Sequence, residues 1–138
     1  MRIALIIPFI FLFESGCKDN NVDTTNTATF SKGTYSGVYY LAVGGTIDTG
    51  LVRIIFEDTL YYINPIKSQI ILPGGGEYVL KTGTILLIDK AVYPTFHSPV
   101  IPIQGEFAYT NNNDKLLLTQ RVDTLYPRIW TFDLTKSQ

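Results

Sequence analysis

Residues 104–122 read QGEFAYTNNNDKLLLTQRV, and this stretch decides the fold. Two runs of strand character, 104–110 and 115–122, flank Asn111, Asn112, Asn113 and Asp114, which read as a polar four-residue turn. Aliphatic and aromatic runs bounded by Asn and Asp are the mark of a β-hairpin. Working outward, no segment between Phe30 and Leu134 keeps the three-and-four apolar spacing of a helix over about ten residues. Alternation with period two recurs instead at short intervals. The sequence predicts an all-β domain.

Upstream, residues 33–43 place Tyr35, Gly37, Tyr39, Leu41 and Val43 on one face of a strand that Gly44 and Gly45 end. Residues 51–56 and 60–63 flank Glu57, Asp58 and Thr59 as a second hairpin, closed by Asn64 and Pro65 because proline cannot donate to a ladder. Gly74, Gly75 and Gly76 read as a turn, since no Lys-Ser or Lys-Thr and no helix follows to make a phosphate cradle. Residues 77–81 and 84–89 form a tight hairpin across Thr82 and Gly83. The segment 91–102, with Pro94, Pro99 and Pro102, reads as an irregular crossing or edge. A last strand over 124–134 carries Trp130, Phe132 and Leu134 on one face. Gly33 before Tyr35, Gly75-Gly76 before Tyr78, and Gly105 before Phe107 repeat a glycine shortly ahead of an aromatic, as at the corners of a closed sheet.

About eight strands with mostly short connections suit an up-and-down meander, which hides its edges best by closing into a barrel. The last strand is expected to pair with the first; a β-sandwich is the alternative. With Gly33, Tyr35, Gly37, Leu116 to Leu118 and Trp130 to Leu134 as its marks, the domain at 30–138 resembles, over roughly residues 30–135, the small lipocalin-like barrels of bacterial surface lipoproteins. The Gly-x-Trp opening of classical lipocalins is replaced here by Gly33-Thr34-Tyr35.

The chain begins MRIALIIPFIFLFESGCKDN, with Arg2, an apolar run over residues 3–13, then Ser15, Gly16 and the single cysteine, Cys17. Basic start, apolar middle and small-residue cleavage site make a secretory signal, and the run falls short of the ~20 residues of a membrane-spanning helix. The stretch resembles a bacterial lipoprotein signal, with Glu14 where that family carries an aliphatic residue. The resemblance implies that residues 1–16 are removed, that Cys17 becomes the acylated first residue with palmitate-like chains, and that Lys18-Asp19 act as a sorting tag. A flexible tether, 17–29, then follows, made mainly of Asn, Thr and Asp. The implied address is the cell envelope, as an outer-membrane lipoprotein exposed at the surface, with the membrane held through Cys17.

Removing residues 1–16 leaves 122, enough for one domain. With 46% hydrophobic and 17% charged residues the chain is globular, and its net charge of −1 offers no basic surplus for nucleic acid. His97 is the only histidine and no second cysteine exists, so no multi-histidine or cysteine-supported metal site is expected, nor any cofactor. His97 beside Ser98 lacks a nucleophile elbow. Glu57, Asp58, Glu77 and Glu106 read as solvated rim charges rather than a glycosidase pair. No enzyme is expected. Tyrosine and tryptophan suit a pocket or an interface, so Tyr35, Tyr39, Phe107, Tyr109, Trp130 and Phe132 are the candidate ligand-binding residues. The expected function is a non-catalytic binding or interaction module with a protein partner; the alternative is a carrier of a small apolar ligand inside the barrel. Since the candidate rings are large, they should crowd one interior and leave at most a shallow pocket at one mouth.

Overall fold

The computed structural model describes residues 30–68, 70–93, 101–125 and 127–137. The expected signal peptide, Cys17 and tether lie outside the described residues, as do Pro94, His97, Ser98 and Pro99. Eight strands follow one another: β1 Gly33–Val43, β2 Thr46–Glu57, β3 Leu60–Lys67, β4 Gly74–Lys81, β5 Thr84–Asp89, β6 Gly105–Asn112, β7 Lys115–Val122 and β8 Arg128–Lys136. Each pairs antiparallel with the next, and β8 pairs with β1, so the sheet is a closed up-and-down barrel rather than a sandwich. Closure leaves no terminal strand unpaired, which removes the templates for association that an open sheet presents.

Alternation decides what lies inside. Tyr35, Tyr39 and Leu41 of β1, Val52, Ile54 and Phe56 of β2, Leu116 and Leu118 of β7, and Trp130, Phe132 and Leu134 of β8 are all buried, and their sequence neighbours face outward. No buried polar or charged residue occurs among the described residues. Burying apolar side chains at roughly 25 cal/mol per Å² of surface is the dominant favourable term for such a domain.

The two ends differ. At one, two-residue turns at Asp58-Thr59, Thr82-Gly83 and Asn113-Asp114 join the strands. Asp58 and Asn113 take positive φ there, 45° and 56°, a region that Asp and Asn tolerate better than other side chains. Phe30 enters at this end and plugs it, with its ring 5.0 Å from Phe56, 5.6 Å from Tyr109 and 5.8 Å from Tyr78. The opposite end carries the Gly44-Gly45 turn and, among the described residues, 70–73, 90–93, 101–104 and 123–125 beyond the strand ends.

Four sequence expectations need correction. Gly74, Gly75 and Gly76 are not a turn but the start of β4, where the neighbouring strands come so close that a Cβ on Gly76 would strike the Ile88 carbonyl. β3 does not stop at Asn64-Pro65 but runs to Lys67; its ladder to β4 ends at Ile63, and a bulge opposite Leu51/Val52 accommodates the proline. The four-residue turn at 111–114 is a two-residue turn, because Asn111 and Asn112 still pair with Leu116 and Lys115. β2 starts at Thr46 and β8 at Arg128, so the first is longer and the second starts later than the alternation suggested. Gly33, Gly76 and Gly105 do stand two residues before Tyr35, Tyr78 and Phe107, and all three aromatics are buried.

Candidate functional site

The six candidate aromatics converge on the interior. Tyr35, Tyr39, Phe107 and Phe132 are fully buried, Trp130 nearly so, and Tyr109 is partly buried against the same core. Their rings touch one another: Trp130 stacks on Phe132 at 5.8 Å and 11°, Phe132 meets Phe107 at 6.0 Å, and Tyr39 lies 6.0 Å from Trp130. Centroids 4.5 to 7 Å apart are ordinary packing contact between aromatics. The candidates therefore fill the interior with one another, and Trp130 also lines a cleft at the loop end.

The inward tyrosines turn their polar tips to the barrel ends. At the tether end, Tyr35 donates to the Ser31 carbonyl at 2.6 Å and Tyr78 to the Asp58 carbonyl at 2.8 Å. At the loop end, Tyr61 donates to the Ile103 carbonyl at 2.9 Å; Tyr39 donates to Asp48 at 2.8 Å and lies 2.9 Å from the Ser68 hydroxyl. Ser68 also accepts from the Ile70 and Ile71 amides. The Ile101 amide donates to the Ile70 carbonyl at 3.2 Å, so connections 68–73 and 101–104 are bonded together. Ile71 and Ile103 are buried beneath them, with Ile70 and Ile101 packed against the same core. Two isoleucine-bearing loops cap this end, and no periodicity in the sequence announces them.

Burial raises the pKa of Tyr35, Tyr39, Tyr61, Tyr78 and Tyr93, chiefly by desolvating the phenolate; for Tyr93 the hydrogen bond to Asp89 adds to this. A tyrosine that holds its proton more tightly when folded contributes stability that is complete below the unfolded value of about 10. That stability is lost as pH rises through the folded values. Ionisation of these five tyrosines is accordingly expected to coincide with loss of circular dichroism above about pH 10. Full tyrosine ionisation with an intact fold would contradict the packing described.

The carboxylates are engaged separately on the surface. Glu106 meets Lys81 at 3.4 Å and the Thr84 hydroxyl at 2.7 Å; the Thr84 hydroxyl above all, with Lys81, lowers its pKa. Glu77 lies 4.0 Å from Lys90, and Asp58 is 3.4 Å from Lys32. No group of three or more metal-ligating side chains occurs among the described residues.

Two clefts of about 440 and 420 Å³ open at the loop end. The first is lined by Ile101, Pro102, Gln104, Gln120, Val122, Arg128 and Trp130. The second lies between Asp48-Thr49 on β2 and residues 65–68, where β2 extends past its last partner on β3. The most exposed aliphatic side chains gather at the same end: Val92 at 96%, Leu125 at 88% and Ile47 at 70%. The sequence reading did not single out Arg128, Gln120 or these aliphatics, although a cation on the aromatic face of the last strand was a visible sign. No protein-family model matches the chain, and neither the curated proteins nor the solved structures yield a significant match.

Proposed function

We propose that this chain is a lipid-anchored, non-catalytic interaction module of the cell envelope, held to an outer membrane through acylated Cys17 and binding a protein partner with its loop end. The observation that carries the partner half is that Ile47, Val92 and Leu125, all largely solvent-exposed, lie at the end opposite the one where Phe30 enters. An exposed aliphatic is common singly, but several at one end of a small barrel form a surface suited to a partner. A tether attached at residue 30 would direct that end away from the membrane. The packed interior supports surface binding over carriage of an apolar ligand. The anchor half rests on the signal-like run before Cys17 and the polar residues after it.

Fractionation tests both halves in the native envelope. The unaltered protein should partition with membranes, and Cys17→Ser should appear uncleaved or soluble, because stable anchoring takes more than one acyl chain and all of them attach at this residue. Changing Ile47, Val92 and Leu125 together to Ser should leave the protein membrane-bound and folded, within about 0.5 kcal/mol per site, but shift it from a larger assembly to its own mass after mild extraction. Recovery of the unaltered protein wholly in the soluble fraction would end the anchor reading; an unchanged assembly in the triple variant would end the partner reading.

A further inference from the structure

The interior face of β7 and β8 changes character along its length. From the tether end, β7 presents Leu116, Leu118, Gln120 and Val122 inward, and β8 presents Leu134, Phe132, Trp130 and Arg128. Gln120 stands opposite Trp130, and Val122 opposite Arg128. The apolar core thus ends at the loop end in an amide and a guanidinium. Gln120 is fixed in place: its Nε2 donates to the Gln104 carbonyl at 3.0 Å and lies over Gly105, where φ is +105° and a Cβ would collide with that same amide nitrogen.

Arg128 is half-buried, and no carboxylate of the described residues pairs with it. Asp123, the acid on the adjoining connection, is held by Arg121 at 2.7 Å, and Glu106, Glu77 and Asp58 are held by Lys81, Lys90 and Lys32. The guanidinium is a rigid fork of donors that matches a carboxylate or phosphate in two parallel hydrogen bonds. Around it the cleft offers the apolar surfaces of Ile101, Pro102, Val122 and Trp130 and a volume of about 440 Å³. That is within the range of small-molecule sites, in which an apolar lining surrounds a few placed polar groups.

We propose that this cleft binds a small organic anion, a carboxylate or phosphate monoester on a compact apolar body, with Arg128 gripping the anion and Gln120 contributing an amide. The apolar walls select against a bare inorganic ion, and the filled barrel beneath Trp130 excludes a long chain. The cleft opens at the same loop end as the partner face, with Leu125 on the connection between its lining residues Val122 and Arg128.

Trp130 is the only tryptophan, so its emission reports on the cleft directly. The full chain in a nonionic detergent should be titrated with hexanoate and hexyl phosphate, with hexanol as the body without charge and inorganic phosphate as the charge without body. At least one of the two organic anions should give a saturable change, the better of them identifying the head group, with hexanol and inorganic phosphate at least about tenfold weaker. Arg128→Gln should lose at least about tenfold, the worth of a charge-assisted pair; Arg128→Lys should fall between. Gln120→Leu, which keeps the charge and suits the apolar series of β7, should weaken binding several-fold and guards against misfolding of the arginine variants. No saturable change with either anion, hexanol binding as tightly as hexanoate, or undiminished binding by Arg128→Gln in a folded protein each overturns the proposal.

Discussion

Deletion of residues 129–138 is expected to abolish folding. β8 is the closing strand, paired with β1 from Tyr35↔Lys136 to Val43↔Arg128 and with β7 from Lys115↔Thr135 to Val122↔Arg128. Its removal exposes the long edges of both neighbours, which become templates for association. It also strips Trp130, Phe132 and Leu134 from the interior. Truncating one buried Leu or aromatic costs about 2–5 kcal/mol, against a total of about 5–15 for a domain. Losing three such residues and two ladders exceeds that margin. Far-ultraviolet circular dichroism and size exclusion should report an unfolded or aggregated chain. A monomer that melts like the intact protein would show that the barrel tolerates an open edge.

The largest effect of a single substitution is expected at Phe132. Its ring stacks on Trp130, meets Phe107 at 6.0 Å and reaches Tyr39 at 6.4 Å, so it joins the aromatics of β1, β6 and β8 at the centre of the core. Phe132→Ala should cost about 3–5 kcal/mol, since the surrounding rings are tied to their own strands and cannot collapse into the space. For a domain of this size that lowers the melting temperature by more than about 10 °C. Asp133→Ala, on the outward face of the same strand, should stay within about 0.5 kcal/mol. Equal effects at 132 and 133 would mean that the interior is not packed as described.

How far the sequence could be read depended on what each residue answers to. Strands with apolar residues at alternate inward positions, bounded by Gly, Asn or Asp turns, declared themselves, as in β1, β5 and β7, because side-chain direction has a strict period of two. Thr46–Gly50 was missed because only β1 pairs with it, so its residues are exposed and carry no apolar alternation. Gly74–Gly76 misled because glycine serves both turns and close strand approach, and only the position of Ile88 and Tyr61 tells them apart. The isoleucine caps at 70–71 and 101–103 sit in loops, where no period exists to read. Arg128 and Gln120 went unremarked for a related reason: their interest comes from a shared mouth formed by strands and loops distant along the chain. Closure itself followed from strand number and short connections, since eight consecutive strands have one economical way to hide both edges.

The most direct measurement of the interaction claim is site-specific photo-crosslinking in the intact envelope, with a photoreactive side chain placed in turn at Ile47, Val92 and Leu125 and, as the opposite end, at Asp58, Thr82 and Asn113. The account predicts one partner of defined mass joined from the first three positions and none from the second three. Adducts to that partner from the tether end, or equally from both ends, would contradict it.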